Sequence, residues 1–361
     1  MVAVPSYTPA LTADPAANAD TLTALLDRQP PGIVRLPAGT YPLSRGVVVG
    51  AGWTLVGAEP DEPAEPVGTW LSSNSPYGEP IVHVLGSDVE ISGLGLLPPH
   101  SAPGEHAGDR GTAITLGLYL YPETPRWIER IRISGVHVRR SGDRAANCVS
   151  IMGAVRDVEV TDVTVAGGCT GLAVHWGAVG QSVATLVGPT YHPHRLRVSG
   201  LRVSDAFEGF YLSSVHDVRV SHVCLSDVDI GFRLLPGDNT DRFHPADGAV
   251  VGRDIEISDA CIAWRGALYG MRVAGWGRSE VDGLVTTLVY SDVAIRDVVM
   301  TALDPPDGGA TPGAALSRSP VVLERAYGVS LQNVNIGSDR RAVGAAAGSA
   351  CCAARAGAFV S

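Results

Sequence analysis

One phrase recurs along this chain and limits what it can fold into. Between about residue 128 and residue 337 it reads IERIRISGVHVRRSG, VRDVEVTDVTVAGG, PHRLRVSGLRVSDA, VHDVRVSHVCLSDV, GRDIEISDACIAWR, YSDVAIRDVVMTAL and AYGVSLQNVNIGSD. Each version holds two short alternating stretches separated by a polar break. A second phrase follows most of them: CVSIMG, GLAVHW, GFYLSS, GFRLLP, GMRVAG and PVVLER. Apolar and polar residues alternating at period two describe strands with one buried face. Three short strands per unit, stacked unit on unit, predict a parallel β-solenoid. A propeller would need four strands in each unit of about 40 residues. Gly209 and Gly231 lie 22 residues apart, one plausible coil. The spacings Gly171 to Gly209 and Gly231 to Gly270 are 38 and 39 residues, each read as a coil carrying an insertion.

The front of the chain adds a second pattern. ANADTLTALLDRQ reads as a helix with Asp20 as N-cap. Residues 32–60, GIVRLPAGTYPLSRGVVVGAGWTLVGAEP, follow with a V-x-L-P-x-G-x-Y strand and turn and then TLVG. Helix, strand, turn and TLVG together resemble the opening of the right-handed parallel β-helix of the pectate-lyase-like superfamily. That resemblance implies an all-β, single-domain right-handed parallel β-helix and a carbohydrate-active enzyme. The superfamily spans lyases, hydrolases, transferases, epimerases and tailspikes, so the reaction is not implied. Residues 1–31 are read as an arm and capping helix, 32–337 as the β-helix, and 338–361 as an Ala/Gly-rich, loosely packed tail. The helix would close the first coil, which otherwise exposes core and strand edges.

Composition supports many strands joined by turns: 43 glycines, 25 prolines and 6% aromatic residues. A formal charge of −10 argues against nucleic-acid binding through broad electrostatics. No apolar run reaches membrane-spanning length. The first residues lack the basic and apolar regions of a secretory signal, so a cytoplasmic location is expected. The cysteines form no C-x-x-C pair; Cys148, Cys169, Cys224 and Cys261 sit in strand-like segments and read as small buried hydrophobes.

Aligning the second phrase sorts the side chains by face. Val149/Ile151, Leu172/Val174, Phe210/Leu212, Phe232/Leu234, Met271/Val273 and Val321/Leu323 fall inward. The alternate residues point out. One outward column then runs Ser150, Ala173, Tyr211, Arg233, Arg272, Val322, and the next runs Met152, His175, Ser213, Leu235, Ala274, Glu324. Stacked arginines repel unless anions offset them. The plain explanation is a salt-bridge ladder with Asp229 or Asp205. The functional one is a groove for an anionic ligand. Insertions at 176–193, 236–248 and 276–290 leave from these strands and are expected to wall a cleft over the column. They carry Asp238, Asp241, His244, His192 and His194, with Trp176, Tyr269 and Trp276 beside the same face, where aromatic planes suit sugar rings.

Two chemistries compete. Glycosidic cleavage or transfer needs two carboxylates flanking the scissile bond. Glu208 is the first candidate, with Asp229, Asp238 or Asp241 as its partner. Elimination or C5-epimerisation of a uronate needs a cation on the substrate carboxylate plus a base and an acid. Arg233 and Arg272 fit the first role, and Tyr211 and His175 the others. Asp/Glu candidates outnumber lysines around the cleft, which favours the carboxylate route. No metal is expected: His192 and His194 lack a third ligand, and 238–241 resembles only part of a calcium loop. Glu324 reads as a solvated partner of Arg325 or Arg318. Other readings are an intracellular small-molecule isomerase or cyclase, and a trimeric, non-enzymatic glycan-binding protein.

Overall fold

The computed structural model describes residues 4–60, 65–73, 78–99, 110–140, 144–182, 185–237, 252–281, 284–303 and 319–338. Its main sheet joins 25 strands, and every pairing within it is parallel. The chain winds as a right-handed parallel β-helix with three strands to a coil. One coil shows the pattern: Val155–Thr161 lies on the first face, Thr164–Gly167 on the second and Thr170–His175 on the third. The next coil stacks His194–Ser199, Arg202–Ser204 and Glu208–Leu212 on these. Two strands, His216–Leu234 and Gly252–Ala274, run through all three faces without a break.

Stacking brings identical positions of each coil together, which explains the repeat. The inward residues form one continuous core, with Leu172, Phe210, Phe232 and Met271 all at 0% exposure. Corners are made by residues in the left-handed backbone region. Asp157, Asp217, Asp254 and Asp292 hold it within the first residues of the first-face strands, and Asp162, Asp259 and Asp297 between first and second faces. Asp and Asn tolerate this region better than other side chains, because they bond locally to the backbone. The recurring D-V and D-I pairs of the sequence are these corners. Where the second face turns into the third, Gly171, Gly209, Gly231 and Gly270 stand at matching positions. A Cβ on Gly231 would lie 2.2 Å from the Gly270 carbonyl oxygen, so the coils close only around glycine there.

The helix (α1, Pro15–Leu26) packs on strands Gly39–Leu43 and Val47–Val49 and buries Leu22, Leu25 and Leu26. Full burial of each leucine contributes roughly 1.5–3 kcal/mol. Its N-cap is Asp14 and not Asp20: the Asp14 carboxylate accepts from the N–H groups of Ala16 and Ala17. Pro15 fixes the start, since its missing N–H costs nothing at the first helical position. Asp20 instead pairs with Arg45. The arm adds Ser6–Tyr7 to Ile33–Arg35 as a first rung. Thr69–Ser73, in a Pro/Gly-rich stretch that reads as loop, pairs with Gly39–Leu43. The 176–193 insertion forms strands Gly177–Val179 and Val187–Tyr191, which join Leu120–Tyr121 in a small flap. The 276–290 insertion forms the hairpin Gly277–Val281/Leu284–Leu288. Cys148, Cys169 and Cys261 are buried, while Cys224 is only half-buried. Asp238, Asp241, His244 and residues 339–361 lie outside the described residues.

Candidate active site on the third face

Strand register assembles the expected column. Ser150 pairs with Ala173, Ala173 with Tyr211, Tyr211 with Arg233, Arg233 with Arg272, and Arg272 with Val322. Ser150 and Ala173 are fully buried and Tyr211 is 9% exposed, whereas the side chains of Arg233 and Arg272 are 29% and 31% exposed. The accessible part of the column is therefore the arginine pair, with Tyr211 at its edge. The Arg233 guanidinium sits 4.4 Å from the Tyr211 ring centroid and that of Arg272 5.7 Å from Tyr269. Each arginine thus packs on an aromatic face, an attractive cation–π arrangement. His175, one coil below, meets the Tyr211 ring edge-on at 5.1 Å.

Both arginines are ion-paired, but with partners other than Asp205 and Asp229. Arg233 donates from Nη2 to Glu208 Oε2 at 2.9 Å. Its Nε lies 2.6 Å from Oε1, although the N–H is not aimed along that line. Arg272 donates from Nη2 to Glu324 Oε2 at 2.8 Å. Glu324 is thus a partner of Arg272, two residues before its rung neighbour Ala274 on the same face. Asp229 is held by Arg144 at 2.7 Å, and Asp205 and Asp227 by Arg265.

Glu208 is the unusual group. Its side chain is 0% exposed, and burial pushes its carboxyl up to about 7, against the opposing pull of Arg233 and of the Thr170 hydroxyl that donates to it at 3.0 Å. The pair is asymmetric: the carboxyl is wholly desolvated while the guanidinium keeps contact with water. Burial thus favours the uncharged form of Glu208 well above the ordinary carboxylate range. Thr170 was missed from sequence, although the alignment of TGLAVH with EGFYL places it beside Glu208.

The remaining candidates separate. Trp176 is 2% exposed and packs on Tyr119, so its ring offers no free face to a sugar. His192 and His194 are buried, which removes them from direct substrate contact. His192 bonds the Thr190 hydroxyl through Nε2, and His194 donates from Nδ1 to the His192 carbonyl. The His194 ring stacks on His216 at 4.6 Å, a pairing visible in the alignment of PHRLRV with VHDVRV. Among the described residues no group of three His, Cys, Asp or Glu side chains is arranged to hold a metal. Tyr269 and Trp276 are half-exposed. A groove of about 630 Å³ lies on the first face instead, lined by Asp88, Arg130, Asp157, Arg195, Arg132 and Glu159 among others. Its charges alternate from coil to coil: Arg130 grips Asp88 and Arg195 grips Asp157, each through two hydrogen bonds. Charges so compensated make a structural ladder.

No family model matches the sequence, and no curated protein does either. Solved structures match at low identity. An endo-xylogalacturonan hydrolase from Aspergillus tubingensis is 12% identical over 92% of this chain and 93% of its own, with a TM-score of 0.48. For an exopolygalacturonase from Thermotoga maritima the figures are 11%, 93%, 93% and 0.47. For the A-module of an Azotobacter vinelandii mannuronan C-5 epimerase they are 14%, 91%, 97% and 0.42. The chain spans 57% of a galactohydrolase and 55% of an iota-carrageenase, little more than half of either. These likenesses concern the fold alone, which rests on the strand pairing itself: three parallel faces stacked coil on coil behind an N-terminal helix. The fold is a right-handed parallel β-helix. On this β-helix the open arginine pair of the third face is the candidate site.

Proposed function

We propose that this chain is a carbohydrate-active enzyme whose site is the Tyr211–Arg233–Arg272 column, and that it acts on a uronate-bearing glycan by proton transfer at C5, as a lyase or an epimerase. The observation that supports this reading is the pair of half-exposed arginines on adjacent rungs, each seated on a tyrosine. A substrate carboxylate bridging them would have its charge neutralised, which acidifies the neighbouring C–H. The resident carboxylates do not block that role. Burial raises the Glu208 carboxyl to about 7, which weakens its hold on Arg233. The Arg272–Glu324 pair is surface-exposed, and such pairs contribute about 0–1 kcal/mol, so an incoming carboxylate can replace Glu324. Tyr211 and His175 are the candidates to move the proton.

The carboxylate route gains less support. Glu208 and Glu324 are each bonded to an arginine, Arg233 and Arg272, so neither carboxylate stands free beside the other as a cleaving pair would. Asp229, one coil from Glu208, is committed to Arg144. Glu208 is fully buried and bonded to Thr170 and Arg233, so its raised carboxyl does not face a substrate as a general acid would.

The test is incubation with uronate and neutral glycans in deuterated buffer. Unsaturated-uronate absorbance, new reducing ends and deuterium at C5 are recorded together. Absorbance, or deuterium at C5 without cleavage, is expected with uronates only, and Tyr211→Phe should lower it by about 10²–10⁴-fold. New ends from neutral glycans, with neither absorbance nor exchange, would refute this reading and favour cleavage.

A further inference from the structure

The charge ladder of the first face has one break. Its outward column reads, coil by coil, Glu90, Arg132, Glu159, Arg197, Arg219 and Glu256. Acid and arginine alternate except at Arg197 and Arg219, which stand in register on adjacent strands. Like charges one rung apart repel. The neighbours on either side are engaged away from the break. Glu159 lies 3.4 Å from Arg132, on the coil before it. Arg219 is drawn to the coil after it: its Nε lies 3.4 Å from Glu256, and its Nη1 donates to the Asp254 carbonyl at 2.9 Å. In the neighbouring row, Arg195 grips Asp157 through two hydrogen bonds, and Asp217 lies 4.0 Å from Arg219. Arg197 is exposed, and among the described residues it has neither an ion-pair nor a hydrogen-bond partner. Both arginines of the break line the groove of about 630 Å³. From Glu90 to Arg219 that groove crosses four rung spacings, about 19 Å, which suits an elongated ligand.

We propose that Arg197, with Arg219 beside it, is the anion subsite of a second glycan-binding groove, which takes a chain carrying carboxylate or sulfate groups on a face other than that of the candidate active site. An oxyanion seated between the two arginines supplies the acid that the ladder lacks at this rung and removes their repulsion. The planar guanidinium fork matches two oxygens of either group, and in Arg197 that fork is not engaged by the protein. The paired charges farther along the groove, Arg130 with Asp88 and Arg195 with Asp157, stay partly exposed and offer donors and acceptors to sugar hydroxyls. A formal charge of −10 repels a polyanion from much of the surface, so contact concentrates where arginines adjoin. Such binding requires no turnover on the third face.

Phenylglyoxal modification of the full chain, read arginine by arginine through peptide mass mapping, tests the subsite. Arg197 should be among the fastest arginines to react. Oligogalacturonate or dextran sulfate should slow the reaction of Arg197 and Arg219 at least tenfold. Neutral dextran, and inorganic sulfate at the same charge concentration, should not. Stronger protection by one polymer than by the other identifies the anion as carboxylate or sulfate. Arg197→Gln removes an unpaired surface side chain, so its Tm should match wild type, and neither polymer should then protect Arg219. Protection of Arg233 and Arg272 is read in the same digests, so the first and third faces succeed or fail separately. The subsite is overturned by protection from neither polymer, by equal protection from neutral dextran or inorganic sulfate, or by protection of Arg219 that persists in Arg197→Gln.

Discussion

Replacing Glu208 by glutamine probes the electrostatics of the candidate site without changing its shape. The carboxyl is fully buried and its proton affinity rises from an ordinary 4.5 to about 7. At about 1.4 kcal/mol per tenfold change, that gap corresponds to about 3 kcal/mol. Between these pH values the folded protein holds a proton that the unfolded chain has released. Wild-type stability should therefore be complete below about pH 4.5, decline as pH rises to about 7, and level off above. Glutamine does not titrate, and its amide oxygen still accepts from Arg233. Glu208→Gln should match wild type near pH 4.5 and exceed it by about 3 kcal/mol at pH 8. Urea unfolding of both proteins at half-unit steps from pH 4.5 to 8 measures the difference directly. A flat difference, or one that turns in favour of wild type as pH rises, would refute the reasoning. It would mean that Arg233 outweighs burial and that Glu208 is an ordinary ion-pair carboxylate.

Other substitutions give sharper local checks. Arg233→Gln leaves the buried carboxyl without its cation, so the protein should lose about 3–5 kcal/mol at pH 8 and much less at pH 5, read from the same urea midpoints. Gly231→Ala places a Cβ 2.2 Å from the Gly270 carbonyl oxygen and should cost about 1–3 kcal/mol, seen as a lower Tm with unchanged sheet content. Arg130→Ala removes a two-bond grip on Asp88, yet both side chains are 54% exposed; stability should fall by less than about 1 kcal/mol, while NMR titration shows the depressed Asp88 carboxyl returning toward its ordinary range.

How much of this was legible beforehand follows from what each feature depends on. The Tyr211–Arg233–Arg272 column depends only on period two and on a shared glycine, so aligning Gly209, Gly231 and Gly270 was enough to place it. The partners of the arginines depend on side-chain reach around a corner. Glu208 shares the parity of Phe210 and Leu212, and pattern alone puts it either in the core or at the cleft edge; the fold places it under Arg233, fully desolvated. Glu324 was assigned by chain adjacency to Arg325, but successive strand residues face opposite ways, and the neighbour that counts is across the coil boundary. The helix start shows the same limit at short range. Several acids could cap it, and Pro15 decides because it suits only the first turn. Periodic information therefore fixes which residues share a face. The chemistry of that face is set by corner geometry and burial, which desolvate the Glu208 carboxyl and raise its proton affinity beside Arg233. A sequence scan of β-helices that aligned the residue just before each third-face glycine, in addition to the outward column, would find the Thr170–Glu208 rung and with it the carboxyl that faces Arg233.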